Sequence, residues 1–260
     1  MRRFLLLFIA LPALALHGCA SLPDEPPAQI TLSYVSNFSG NAARDGLPEG
    51  WEQWTLSRFK KPTEYRLVAE GGTTVVRARA SSSASGLVHK LDLDPARYRL
   101  LQWRWKVNQL IPGADNTRKN AEDSPVRVVI SFSGDMDKLE FDDRMFFDQI
   151  KAFTGQQLPY ATLMYIWENR APRDSIIDNP HTSRIKMVVA ESGRDKLGLW
   201  QTEIRDIYAD FKRAFGEEPG RIVSIGIMTD TDNTGENAHA YYGDMVFKRI
   251  APSRIVFGTD

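Results

Sequence analysis

The sequence predicts a mainly β protein: two antiparallel sheets packed face to face as a sandwich, with one or two short peripheral helices. Three observations carry that reading. Short β-branched and aromatic runs punctuated by turn residues recur from residue 30 onward. No regular helix stands between each pair of runs, which argues against a doubly wound α/β sheet. Finally, only two segments have helical periodicity.

In chain order, the first strand candidates are 66–69 and 74–80, followed by Ser81 to Gly86, which reads as a turn rich in small residues. In the next, 100–107, Trp103, Trp105 and Val107 share one face, and Arg104 and Lys106 the other. Segment 126–133 puts Val126, Val128, Ile130 and Phe132 opposite Arg127, Val129 and Ser131. Segment 141–153 is the weaker helix candidate. In 162–167, Tyr165 and Trp167 share a face that sequence does not identify. Segment 184–190 sets Ile185, Met187 and Val189 against Arg184, Lys186 and Val188. Residues 204–215 carry an apolar stripe of Ile204, Ile207, Tyr208, Phe211 and Phe215, with Gly216 placed as a C-cap, which predicts a helix. Strand candidates 222–229 and 240–248 close the series.

The first 30 residues have a different character. Arg2 and Arg3 precede an apolar run from Phe4 to Leu16, and then comes Gly18-Cys19, the charge and hydropathy pattern of a secretory signal. The run is too short for a bilayer span of roughly 20 residues. It resembles a bacterial lipoprotein signal peptide, whose lipobox ends in Gly-Cys. The resemblance implies cleavage after residue 18, acylation of Cys19 and a lipid anchor in the membrane. Ala20 stands where lipoproteins retained in the inner membrane often carry Asp, so the implied address is the outer membrane, facing the periplasm of a bacterial cell envelope. Residues 19–30, with Pro23, Pro26 and Pro27, read as a tether. The expected organisation is a signal peptide at 1–18, a lipidated tether at 19–30 and one β-sandwich domain at 31–260.

Composition narrows the chemistry. The chain holds 33 basic and 33 acidic residues, a balance that gives no sign of nucleic acid as a partner. Cys19 is the only cysteine, and acylating it leaves no thiol for a disulfide, a zinc site or a nucleophile. The sequence has no HExxH pair, no GxSxG elbow and no phosphate loop.

Several segments together resemble the bacterial family DUF3047, a domain of unknown function. They are Gln102 to Val107, Glu122 to Val128, Leu163 to Trp167, Gly198-Leu199-Trp200, Arg205 to Phe211, Ala214-Phe215-Gly216, Met228 to Asn233 and Tyr242-Gly243-Asp244. The resemblance implies a jelly-roll sandwich of the galactose-binding and carbohydrate-module type, and carries no activity.

Candidate binding residues follow from the strand faces. If the strands are neighbours, Arg104, Lys106, Arg127, Arg184 and Lys186 form a basic stripe. That stripe is either a solvated outer face or the floor of a groove whose Arg forks hold a glycan or another polar envelope component. Trp103, Trp105, Trp167 and Trp200 offer stacking surfaces, although the alternation of Trp103 and Trp105 with charges equally suits core packing. Tyr165 and Trp167, with Asp123 closing the groove, complete the candidate ligand set. Around Asp230, Asp232 and Asn233, before Gly235, oxygen ligands have spacing that suits calcium, with Asp244 as a further ligand. The same residues also suit an Asx-rich turn that needs no metal. The leading expectation is non-catalytic binding. The alternatives are a polysaccharide hydrolase pairing Asp123 with Asp230 or Asp232, with Asp206 and Asp210 as further acids, and a scaffold that docks protein partners.

Overall fold

The computed structural model describes residues 30–43, 46–55 and 59–250. The apolar signal, Cys19 and nearly all of the tether lie outside them. The elements are β1 (Ile30–Ser36), β2 (Glu52–Trp54), β3 (Glu64–Glu70), β4 (Thr73–Ser81), β5 (Ala84–Leu93), β6 (Leu100–Val107), β7 (Ser124–Phe132), α1 (Phe141–Thr154), β8 (Ala161–Glu168), β9 (Ile176–Asp178), β10 (Ile185–Ser192), β11 (Gln201–Asp206), α2 (Ile207–Phe215), β12 (Ile222–Asp230) and β13 (Asn237–Ile250).

They form two sheets. The first runs β11-β6-β13-β4-β3, with β1 also on β13; the second runs β2-β5-β12-β7-β8-β10-β9. At their centre β4-β13-β6-β11 faces β5-β12-β7-β8, so the chain passes back and forth between sheets in the manner of a jelly roll. The predicted sandwich is therefore the fold. One departure is that β8 and β10 pair parallel. Residues 169–184 make the crossover that a parallel pair needs.

Between the sheets lies a core rich in indoles. Trp103, Trp105 and Trp167 are fully buried beside Tyr165, Phe132, Phe211 and Phe247. Trp103 meets Trp105 edge-on at 5.3 Å and Tyr165 at 4.9 Å, geometries that aromatic quadrupoles favour. Two tyrosines of the first sheet pin the second. The Tyr65 hydroxyl donates to the Ser85 carbonyl at 2.6 Å and accepts from the Thr229 amide. The Tyr242 hydroxyl donates to the Met228 carbonyl at 2.6 Å and accepts from the Arg127 amide. A second, smaller apolar cluster of Met164, Ile166, Ile177, Met187 and Val189 lies on the outer side of the second sheet, and β9 contributes to it.

Two sequence expectations need correction. The helix expected at 204–215 begins at Ile207, because Asp206 accepts from the Ala209 amide as N-cap while residues 201–206 pair with β6. Ile204 thus lies exposed on a strand. The turn expected at Ser81 to Gly86 is shorter, since β5 starts at Ala84. Gly86 belongs to that strand, where a Cβ would stand 2.6 Å from the Ile227 carbonyl of β12. The weaker helix candidate is present as α1.

Candidate functional site

The alternation of β6 decides which charges reach solvent. Leu101, Trp103, Trp105 and Val107 enter the core, which leaves Arg104 and Lys106 on the outer face of the first sheet. In β13, Ala240 and Tyr242 turn inward, and His239 and Tyr241 outward. Register sets Tyr241 between Arg77 of β4 and Lys106 of β6, and His239 opposite Arg79. Arg66 of β3 stands opposite Arg77, and Trp200 leads into β11 beside Lys106. A row of cations and rings thus crosses the sheet.

Its geometry is tight. The Lys106 ammonium lies 4.4 Å from the Tyr241 ring centre and 5.6 Å from that of Trp200. The Arg104 guanidinium lies 4.8 Å over Trp200, within cation–π range. Trp200 and Tyr241 are 6.3 Å apart, and His239 is 5.0 Å from Tyr241. Opposite Arg104 the β13 register shifts between Tyr242 and Met245, so Gly243 and Asp244 together face one residue. A Cβ on Gly243 would fall 2.4 Å from Arg104 Cγ and Nε. The glycine is what lets the arginine lie across the strand.

The face is hollow. Lys106 pairs with Glu70, although β13 and β4 stand between β6 and β3. On a flat sheet those strands would be roughly 14 Å apart. The pair closes because the β3–β4 hairpin loses contact with β13 beyond Val76 while remaining paired to Glu70–Thr73, and its tip leans over the face.

Charge on this face is unbalanced. Glu64 serves both Arg66 and Arg77, and Glu70 serves Lys106. Among the described residues, Arg79 and Arg104 have no ion pair. Burial, then Arg79, Arg77 and Lys106, holds the His239 imidazole below its ordinary range, so at neutral pH it adds no charge. Asn108 contacts His239 Nδ1 at 3.3 Å, and Nε2 is buried with no partner among the described residues.

Near the end of these strands lies an open groove of about 530 Å³ lined by Gln109, Leu110, Pro112, Arg194, Leu197, Gly235, Glu236 and Asn237. Gln109 follows Asn108 at the end of β6, Asn237 opens β13 two residues before His239, and Leu197 lies three before Trp200.

The remaining expected ligand residues lie elsewhere. Arg127 is on the second sheet, 1% exposed, its guanidinium forked onto Asp230 at 3.0 Å on each oxygen and bonded to Glu122. Met187 Sδ lies 3.4 Å from it. Lys186 points to the opposite side of that sheet from Met187 and pairs with Asp178 at 2.6 Å, and Arg184 pairs with Glu217. The basic stripe therefore breaks into separate parts: period two sorted each strand correctly but could not say which sheet it joins. Tyr165 and Trp167 are core residues; the Tyr165 hydroxyl donates to Asp210 and the Trp167 indole to the Gly193 carbonyl. Tyr241, Gly243, His239 and Arg79 were missed, although alternation within 240–248 carried the signal for Tyr241.

Asp123, Asp230 and Asp232 do come together, with one oxygen from each within 4.8 Å of the others. Most of these oxygens are already engaged. Asp123 accepts from the Thr234 amide and hydroxyl, both at 2.7 Å, and from the Asn233 amide; Asp232 pairs with Lys60; the Asn233 side chain donates to the Glu122 carbonyl. Burial pushes the Asp230 carboxyl up, against the pull of Arg127. This donor pattern is that of an Asx-capped turn. Asp244 is not part of the cluster: it accepts from the Ser39 amide and hydroxyl. The two helix acids are also engaged, Asp206 by Arg99 and Asp210 by Arg205, Arg213 and Tyr165.

A family model described as "Protein of unknown function (DUF3047)" matches residues 49–246. No curated protein matches. Among solved structures, the chain is similar to the family 11 carbohydrate-binding module of the cellulosomal cellulase Lic26A-Cel5E of Clostridium thermocellum: 10% identity, TM-score 0.43, covering 86% of this chain and 97% of that one. It is also similar to winged bean acidic lectin complexed with methyl-alpha-D-galactose, at 8% identity and TM-score 0.37, covering 86% and 100%. A third similarity is to a family 29 carbohydrate-binding module complexed with cellulohexaose, at 11% identity and TM-score 0.33, covering 84% and 91%.

Proposed function

The chain belongs to the DUF3047 family, and from its own surface we propose that it binds a glycan, or another polar component of the cell envelope, on the hollow outer face of the first sheet, without catalysis. The observation that supports this is the ring pair Trp200 and Tyr241, standing with Arg104 and Lys106 on a curved strand face. Flat rings offer apolar stacking surface, and the flanking charges fix orientation, the mixture expected of a polar-ligand site. Of the acids in the hydrolase alternative, Asp123 and Asp230 accept internal hydrogen bonds through both oxygens, and Asp232 pairs with Lys60.

The Trp200→Ala/Tyr241→Ala variant should fold with an unchanged far-UV spectrum. It should lose about tenfold or more in affinity, ~1.4 kcal/mol, for whichever polysaccharides retard the parent in affinity electrophoresis. Equal retardation of parent and variant across a broad panel would remove this face from the reading.

We propose the address from the N-terminal sequence: Cys19 is acylated and residues 19–30 tether the body to the outer membrane, facing the periplasm. A diacylated, N-acylated cysteine anchors durably because each buried methylene contributes about 0.8 kcal/mol. Cys19→Ala should abolish incorporation of labelled fatty acid and shift the protein from the membrane pellet to the soluble fraction. Labelling that persists in the variant excludes this anchor.

A further inference from the structure

We propose that the ligand is an anionic polysaccharide whose carboxylates are taken by Arg104 and Arg79; this rests on the reading of the outer face as a glycan platform. Each other cation of the row already has an acid: Lys106 has Glu70, and Arg66 and Arg77 share Glu64. Among the described residues, Arg104 and Arg79 have none. Arg104 is also held in a particular pose, lying over Gly243 with its guanidinium 4.8 Å above the Trp200 ring. Stacking occupies one flat side of the guanidinium and leaves donors at its edge, the arrangement that receives a carboxylate through two parallel hydrogen bonds.

Arg79 stands on β4 opposite His239, and Arg104 on β6 opposite Gly243, diagonally on either side of Tyr241. Strand spacing and rise put their Cα atoms about 16 Å apart. One sugar cannot reach both, but a chain crossing the Tyr241 ring can. His239, level with Arg79 on β13, adds no charge, which leaves the two arginines as the sites of unpaired charge.

The test uses polyuronates, each paired with its carboxyl-reduced neutral form, together with phosphatidylglycerol vesicles. Binding by the whole chain, Arg104→Gln, Arg104→Lys and the Trp200→Ala/Tyr241→Ala variant is measured by affinity electrophoresis and vesicle sedimentation at low and high salt. The parent should bind at least one polyuronate about tenfold more tightly than its reduced form, with the preference shrinking in salt as surface charge is screened. Arg104→Gln should remove most of the preference for the acidic polymer over its neutral form, leaving only the part that Arg79 carries. Arg104→Lys should recover only part of the preference, since it keeps the charge without the fork.

Equal binding of acidic and reduced polymers by the parent overturns the anionic inference while leaving the platform intact. Polymer binding that survives in the ring variant overturns the platform itself. Sedimentation with vesicles and no binding to any polysaccharide overturns both in favour of a lipid headgroup.

Discussion

Trp105→Ala is expected to destabilise the fold by about 3–5 kcal/mol, read as a lower denaturant midpoint with little change in slope. Trp105 is fully buried, edge-on to Trp103, 6.4 Å from Trp167, and central in β6. Truncation removes its transfer free energy and leaves a cavity that neighbouring indoles are too rigid to fill. Trp105→Phe should cost much less, because the Trp105 indole N–H has no hydrogen-bond partner among the described residues and phenylalanine removes that unsatisfied donor. Comparable losses for alanine and phenylalanine would mean that the N–H, rather than the volume, matters at this site.

Asp230→Ala should cost about 3–5 kcal/mol, the range for breaking a buried ion pair by deleting one partner. The Arg127 guanidinium would keep Glu122 but lose both bonds to Asp230, and the Ser124 amide would lose its acceptor. Replacing the pair together, as Arg127→Met/Asp230→Leu, should return much of that stability. The double change removes both desolvation costs and sets an apolar side chain beside Met164 and Met187. Urea melts of the single and double variants decide it: a double variant no more stable than Asp230→Ala would show that the pair contributes net free energy rather than merely satisfying itself.

These residues show how far sequence reaches. Alternation in β6, β7 and β10 revealed which side chains share a face, because the period of a strand is a local property. It also supported the sandwich, since runs of that kind need a second sheet to cover them. Which strands become neighbours depends on contacts distant in sequence, and so Arg104 and Arg127 were placed on one stripe when they belong to different sheets. β5 escaped notice because it opens with Ala84-Ser85-Gly86, small residues that read as a turn but are required where two backbones approach. The last three residues of β11 were taken for a helix because Ile204 continued the apolar stripe of α2, while the Asp206 cap that ends the strand is a single side chain. The acids around Asp230 were legible as a cluster. That Arg127 and Lys60 engage two of them was not, because neither is near in sequence.

The pairing of β1 with β13 has a mechanical consequence. Ile30 lies opposite Ile250 and Ser36 opposite Met245, while Tyr241 and His239 sit farther back along β13. A tension between the chain before Ile30 and something gripped at Tyr241 would pull the two strands lengthwise past each other. In that direction the rungs of the ladder share the load and must yield together, whereas a perpendicular pull would open them one at a time. The same long strand that displays the ring therefore also carries the strain toward the N-terminus, and does so in its stronger direction.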